Sequence, residues 1–218
     1  MIVDLSHPIN DGMVTYPGLA GPHLRIATSR GASSARLADG VSFEIQTLTL
    51  VGNTGTYVDA PYHYHGDRAD CAQLPLERLV NVPIVLVSAL GATAVTPAHL
   101  GDPGLLWGHA VLVHTGWARH WGTDRYLDLD CPHLTEEAAA ALVDANAAVV
   151  GIDSLNIDDP GNPRRPAHHR LLGADIPIVE HLTNLGSVPP SGARFIALPA
   201  PVRAMGSMPV RAVAVHDG

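Results

Sequence analysis

Apolar and polar positions alternate along this chain in short units. Seven runs rich in β-branched or other apolar residues, at 43–50, 82–87, 110–114, 148–152, 176–179, 194–198 and 210–215, are mostly bounded by Gly, Pro, Asn or Asp. Short apolar runs between turn formers predict strands. The clearest helix is 136–146, where Thr135 stands at the N-cap, Glu136 and Glu137 complement the dipole in the first turn, and the body is alanine-rich. It leads into the run that ends at Ile152, which makes an αβ unit, and 74–79 ahead of the Val82 run predicts a shorter one. Strands outnumber helices. The expected class is therefore α/β, a single domain over residues 1–218 with a mixed β-sheet and flanking helices, not a doubly wound nucleotide fold.

Composition narrows the function classes. With 218 residues, 46% hydrophobic and 16% charged, the chain can bury one sizeable core, and its 21 Gly and 18 Pro imply many shaped loops. The net charge of −8 sets 21 carboxylates against 13 basic residues, all arginine and none in a long cluster, so no nucleic-acid partner is expected. The longest apolar stretch, 82–95, is too short to span a bilayer and is broken by Ser88 and Gly91, so no membrane partner is expected either. The opening MIVDLSHPIND lacks the basic and then apolar run of a signal peptide, so the expected location is the cytoplasm. Cys71 and Cys131 show no CxxC spacing, and neither GxGxxG nor a P-loop is present. Thirteen histidines are the anomaly, since histidine is both a common metal ligand and an acid/base near neutral pH.

The densest polar cluster is VGNTGTYVDAPYHYH at 51–65, where Gly52, Gly55 and Pro61 predict a bent loop or short helical turn presenting Asn53, Tyr57, Asp59 and His63. A second cluster at 167–180 places His168 ahead of a short helix and Glu180 at the end of IPIV. Asp, His and Glu brought together from two loops form a donor set that zinc, manganese or iron accepts. His65 is a second acid/base candidate, whereas His169 reads as structural or exposed. His7 is expected to fix a loop or an interface, and the remaining histidines read as satisfied or solvated. Trp107, Trp117 and Trp121 are expected in ordinary packing rather than as the roof of a pocket. Asp153 and Asp158 follow the strand ending at Ile152, and strand termination is favoured over a place behind a metal ligand.

Across nearly the whole chain these residues resemble the cyclase family, the family of bacterial kynurenine formamidases and isatin hydrolases. The resemblance runs through DLSHPI at 4–9, Tyr16-Pro17-Gly18, NTGTYVDAPYH at 53–63, Thr115-Gly116-Trp117, Gly151-Ile152-Asp153, His168 with Leu171-Leu172, and IPIVE at 176–180. The family's loop reads H-x-G-T-H-x-D-x-P-x-H. It implies a swivelling β/β/α-type fold, with both leading histidines and the aspartate on one metal and the same aspartate with a later His and Glu on a second. By that resemblance Asp59, His168 and Glu180 are metal ligands and His63 is the catalytic acid/base. The two leading histidines are here Asn53 and Tyr57, so the expectation is at most one divalent metal, zinc or manganese, with a metal-free site as the alternative. Asn53 and Tyr57 then become substrate-binding candidates, and Tyr57 also a catalytic one.

The resemblance implies a hydrolase of a small non-peptide amide, an N-formyl aryl amide or a cyclic amide, or of a lactone. Two other readings stay open: a metal-free cyclase, dehydratase or isomerase using His63 and Tyr57 as an acid/base pair, and a non-catalytic small-molecule binding domain. A homo-oligomer, dimer or tetramer, is expected.

Overall fold

Four consecutive apolar residues, Ala110 to Val113, are all buried, because their strand lies in the middle of a sheet covered on both faces. A computed structural model describes residues 1–217. In chain order its strands are β1 (Ile2–Asp4), β2 (His23–Thr28), β3 (Ile45–Thr49), β4 (Tyr57–Asp59), β5 (Val82–Ser88), β6 (Ala94–Val95) and β7 (Ala110–His114). There follow β8 (His133–Leu134), β9 (Val149–Ile152), β10 (Ile178–Glu180), β11 (Arg194–Ile196), β12 (Ser207–Pro209) and β13 (Val213–Val215). The helices are α1 (Arg30–Ser34), α2 (Pro97–Leu100), α3 (Glu136–Asp144) and α4 (Pro166–Gly173).

Nine strands form one mixed sheet in the order β1-β13-β11-β5-β7-β9-β10-β4-β12. Strands β5, β7, β9 and β10 run parallel, and antiparallel strands extend the sheet on both sides. Alternate residues of the central strands go to opposite faces. Val111, Val113, Val150 and Ile152 pack against the helices through Leu100, Ala138, Leu142, Ala167 and Leu171. Ala110, Leu112 and Val149 join a second cluster that no helix covers. There Val58 and Val179 from one side of the sheet share a core with Phe195 and Ala214 from the other, so the sheet curls over itself. Gly151 permits this closeness, since a Cβ there would lie 2.7 Å from a Leu182 methyl and 2.8 Å from one of Leu112.

The α/β class with a mixed sheet is as expected. Helix α3 begins at the expected Thr135 cap, whose hydroxyl accepts the Ala138 N–H at 3.2 Å, and buries Ala138, Ala139 and Leu142. The segment 74–79 is only a 3₁₀ turn at Leu76–Arg78. The run 43–50 does form a strand, but it pairs only with β2, as a ribbon exposed on both faces. Residues 57–59 differ from expectation in kind: they are β4, held between β10 and β12, and not a bent loop. Three residues are too few to show a period of two, and the Gly-rich stretch before them has the composition of a turn. His63 ends the 3₁₀ turn Pro61–His63 that follows.

Candidate metal centre

The site is assembled by strand register. Tyr57 and Asp59 are two apart on β4 and so face the same side of the sheet. Glu180 lies directly opposite Tyr57 on β10, and Ser207 directly opposite Asp59 on β12. Each cross-strand pair is also a side-chain pair: the Tyr57 hydroxyl donates to Glu180 Oε2, and the Ser207 hydroxyl donates to Asp59 Oδ1. Asn53, just before the strand, donates through Nδ2 to Ser207 Oγ at 3.2 Å and reaches Asp59 Oδ1 at 3.5 Å. Tyr57, Asp59 and Glu180 are all buried.

His168 enters from within the first turn of α4, not from ahead of it. Asp158 aims it. One Asp158 oxygen accepts the Ala167 N–H at 2.7 Å, and the other accepts the His168 N–H at 3.0 Å and its Nδ1–H at 2.7 Å. Asp158 therefore caps α4 and fixes the imidazole, which corrects the expectation that it merely ends a strand; the backbone donors were invisible in sequence. Asp153 does serve the strand ends, accepting the Thr115 N–H, the Thr115 hydroxyl and the Gly116 N–H. With Nδ1–H committed to Asp158, His168 Nε2 points at the carboxylates, 3.6 Å from Asp59 Oδ2 and 3.6 Å from Glu180 Oε1. Tyr64 stacks on this ring, with centroids 4.9 Å apart and planes at 14°.

The donors of Asp59, His168 and Glu180 lie within 4.8 Å of one another and are buried, a geometry suited to one cation. Three of the four carboxylate oxygens of Asp59 and Glu180 accept hydrogen bonds from the protein. Glu180 Oε2 takes the Tyr57 hydroxyl, Glu180 Oε1 takes the Ile157 N–H at 2.6 Å, and Asp59 Oδ1 takes Ser207. Asp59 Oδ2 is buried with no hydrogen-bond partner among the described residues. An orphaned carboxylate oxygen beside an imidazole nitrogen whose other nitrogen is held by a carboxylate has the donor chemistry of a metal site. Asn53 and Tyr57 supply hydrogen bonds where the family's loop has histidines.

Without a cation the cluster keeps its charge balance by protons. Burial pulls the His168 pKa down, but Asp158, Asp59 and Glu180 outweigh it and hold the pKa at about 10. Burial raises Glu180 to about 7, with His168 opposing and Asp59 reinforcing. Burial, then Glu180 and Asp59, push the Tyr57 phenol well above its ordinary value, so it is a neutral donor.

The cluster opens on a cavity of about 250 Å³ lined by Tyr16, Leu19, Asn53, Tyr57, His63, Tyr64, Asn156, Arg165, His168 and Glu180. His63 stands at its edge, one-third exposed, with Nε2 3.9 Å from Asp59 Oδ1. Its backbone packs so closely on Gly206 that a Cβ there would lie 2.7 Å from His63 Cα. His65 lies outside, against the His169 carbonyl at 3.1 Å, so the five candidates Asn53, Tyr57, His63, His168 and Glu180 share the cavity with Asp59 beneath it, and His65 does not. Trp117 is buried and Trp107 exposed, neither lining this cavity, and Trp121 stacks on His7 at 3.9 Å between centroids. Tyr64, Asn156, Arg165 and Ser207 were not anticipated from sequence; the polar spacing from Asn156 to Arg165 was the only signal available for two of them.

Fold and site together define a mixed-sheet α/β protein with a buried Asp-His-Glu centre under an open cavity. The family model "Cyclase: Putative cyclase" matches residues 3–159, and this chain belongs to that family. It is 30% identical over 212 residues to the kynurenine formamidase of Salinibacter ruber, covering 97% of this chain and 96% of that protein. The kynurenine formamidase of Bacillus mycoides is 26% identical over 211 residues, covering 97% and 95%. Among solved structures, isatin hydrolase A from Labrenzia aggregata, bound to benzyl benzoate, superposes with a TM-score of 0.85 at 23% identity over 100% of this chain and 94% of that one, which shows the fold. A structure described as a potential metal-dependent hydrolase with cyclase activity superposes with a TM-score of 0.78 at 25% identity over 98% and 96%.

Proposed function

We propose that this protein hydrolyses a small non-peptide amide, an N-formyl aryl amide or a cyclic amide, or else a lactone, with one divalent cation, zinc or manganese, on Asp59, His168 and Glu180. The observation that carries the reading is the orphaned Asp59 Oδ2 set 3.6 Å from His168 Nε2. The relatives named as kynurenine formamidases, similar over 97% of this chain, support the amide class. A bound cation would supply an acidified water and polarisation of the substrate carbonyl. Asp158 keeps His168 in the tautomer that presents Nε2 to the centre. Tyr57 holds Glu180 through its hydroxyl, so it serves catalysis by positioning that carboxylate rather than by donating a proton to the substrate. Asn53 and Ser207 hold Asp59 so that Oδ2 stays inward. His63, on the open side of the cavity and free of a hydrogen-bonding carboxylate, carries the proton to the leaving nitrogen.

A metal-free acid/base site is the second reading, because three of the four oxygens of Asp59 and Glu180 already accept hydrogen bonds from the protein. The exposed apolar β2–β3 ribbon, with Leu24, Ile26, Ile45 and Leu48 in solvent, supports a homo-oligomer. Among the described residues no helix is long and apolar enough to cross a membrane, and cytoplasmic location stays within this proposal.

The test measures turnover of formanilide and isatin with added zinc or manganese and with chelator. Hydrolysis should depend on the metal, and His63→Ala should lower it by roughly 10²- to 10⁴-fold with little change in unfolding. Turnover indifferent both to chelator and to His63→Ala would refute the mechanism; no turnover of any amide or lactone would leave a binding domain.

A further inference from the structure

Arg165 shares the cavity with His63, Tyr64, His168 and Glu180, yet no step above uses it. Its guanidinium is held by uncharged acceptors only: Nη1 donates to the Asp159 carbonyl at 3.2 Å and to Asn156 Oδ1 at 3.5 Å, and Nη2 donates to the Pro160 carbonyl at 3.2 Å. Of its five N–H donors, Nε–H and one on Nη2 have no acceptor among the described residues. Like the arginines outside the ion pairs of Arg68, Arg125, Arg164, Arg170 and Arg211, Arg165 has no carboxylate partner among the described residues, and of these unpaired cations it is the one that lines the cavity.

The backbone at Arg165 is unusual as well. Its φ of +45° is left-handed, a strained conformation for a side chain without a local hydrogen-bonding amide or acid, and it immediately precedes Pro166 at the start of α4. The segment that holds it also aims the imidazole. Asn156 Oδ1, which receives Arg165, accepts the Asp158 N–H at 2.9 Å, and Asp158 fixes His168. One loop thus sets a half-buried cation and the candidate metal ligand relative to each other across one cavity.

We propose that Arg165 reads a carboxylate on the ligand, so that the amide taken by this site is an anion. The proposal names the charge of the substrate of the function proposed above, and for the word amide it rests on that reading. A planar guanidinium with free donors matches a carboxylate in shape and charge. Among the described residues Arg165 is the one arginine lining the cavity, so a substrate carboxylate pairs there and leaves the neutral amide carbonyl for the centre of Asp59, His168 and Glu180.

Binding of benzoate and of its neutral analogue benzamide, measured by calorimetry on the protein as purified, tests this without requiring turnover. The expected result is a preference for benzoate on the order of 10- to 100-fold, the worth of a charge-assisted pair, which Arg165→Gln abolishes. Arg165→Lys keeps the cation without the fork and should retain some of the preference. If Arg165→Gln does not fold, a full preference in folded Arg165→Lys overturns the proposal and a reduced one supports it. No preference in the parent, or one that survives in Arg165→Gln, also overturns it. Failure of the underlying reading looks different. If neither formanilide nor 2-formamidobenzoate is hydrolysed while the benzoate preference depends on Arg165, the hydrolase assignment falls and the anion site stands. Equal kcat/KM for those two substrates would overturn the anion site and leave hydrolysis intact.

Discussion

Asp158→Asn keeps the size and shape of a side chain buried behind the candidate metal centre and removes its charge. In the parent, one oxygen accepts the Ala167 N–H at 2.7 Å and the other accepts His168 N–H at 3.0 Å and Nδ1–H at 2.7 Å. An amide has one accepting end and one donating end. At best its oxygen serves His168, and its NH₂ then faces the Ala167 N–H. One charge-assisted bond is lost and two buried donors confront each other, which amounts to roughly 2–4 kcal/mol of stability. His168 also loses the carboxylate that fixes its tautomer and raises the basicity of Nε2, so affinity for zinc or manganese should fall by about 10- to 100-fold. Urea unfolding of the metal-free protein reads the first quantity, and competition with a chromogenic chelator reads the second. Asp153→Asn is the control, because Asp153 is buried and accepts three hydrogen bonds but touches neither His168 nor the centre. It should lower stability and spare metal affinity. Parent-like metal affinity in Asp158→Asn, or equal loss of affinity in Asp153→Asn, would refute the orienting role of Asp158.

Elemental analysis of the parent should find at most one divalent metal per chain, whereas Asn53→His with Tyr57→His, which frees Glu180 Oε2, removes the Asn53 contact to Asp59 and adds two ligands, should allow two; two metals held by the parent would show that these hydrogen bonds do not block a second site. Stability should also fall with acid. Burial lowers the His7 pKa to about 4, only partly opposed by Asp4, against an ordinary value of 6.5, so between those two values the unfolded chain binds a proton the folded chain refuses. His7 therefore favours folding fully above pH 6.5, and its contribution is lost as pH falls toward 4. His7→Phe, which keeps a ring on Trp121, should flatten the slope of unfolding free energy against pH in that window; an unchanged slope would remove His7 from the account.

Much of the architecture was legible because it follows from local periodicity. Strands β5, β7, β9 and β11 are apolar runs between turn formers, and α3 carries its cap and dipole signals in three consecutive residues. The ligand candidates were legible from residue type, spacing and family resemblance, and the structure does bring Asp59, His168 and Glu180 together. Strand β4 was not legible, since three residues following a glycine-rich turn carry no readable period. Nor were the bonds that set each donor's state. Tyr57 meets Glu180 across 123 residues and Ser207 meets Asp59 across 148, contacts fixed by the register of β4 between β10 and β12. Asp158 and Arg165 owe their roles to backbone groups and to a left-handed turn, neither of which residue type records. A sequence determines which faces must be buried, because burial is decided residue by residue along a strand or helix. Which polar groups then confront one another in the interior is decided only when distant strands have fixed their register, and that decision belongs to the tertiary structure.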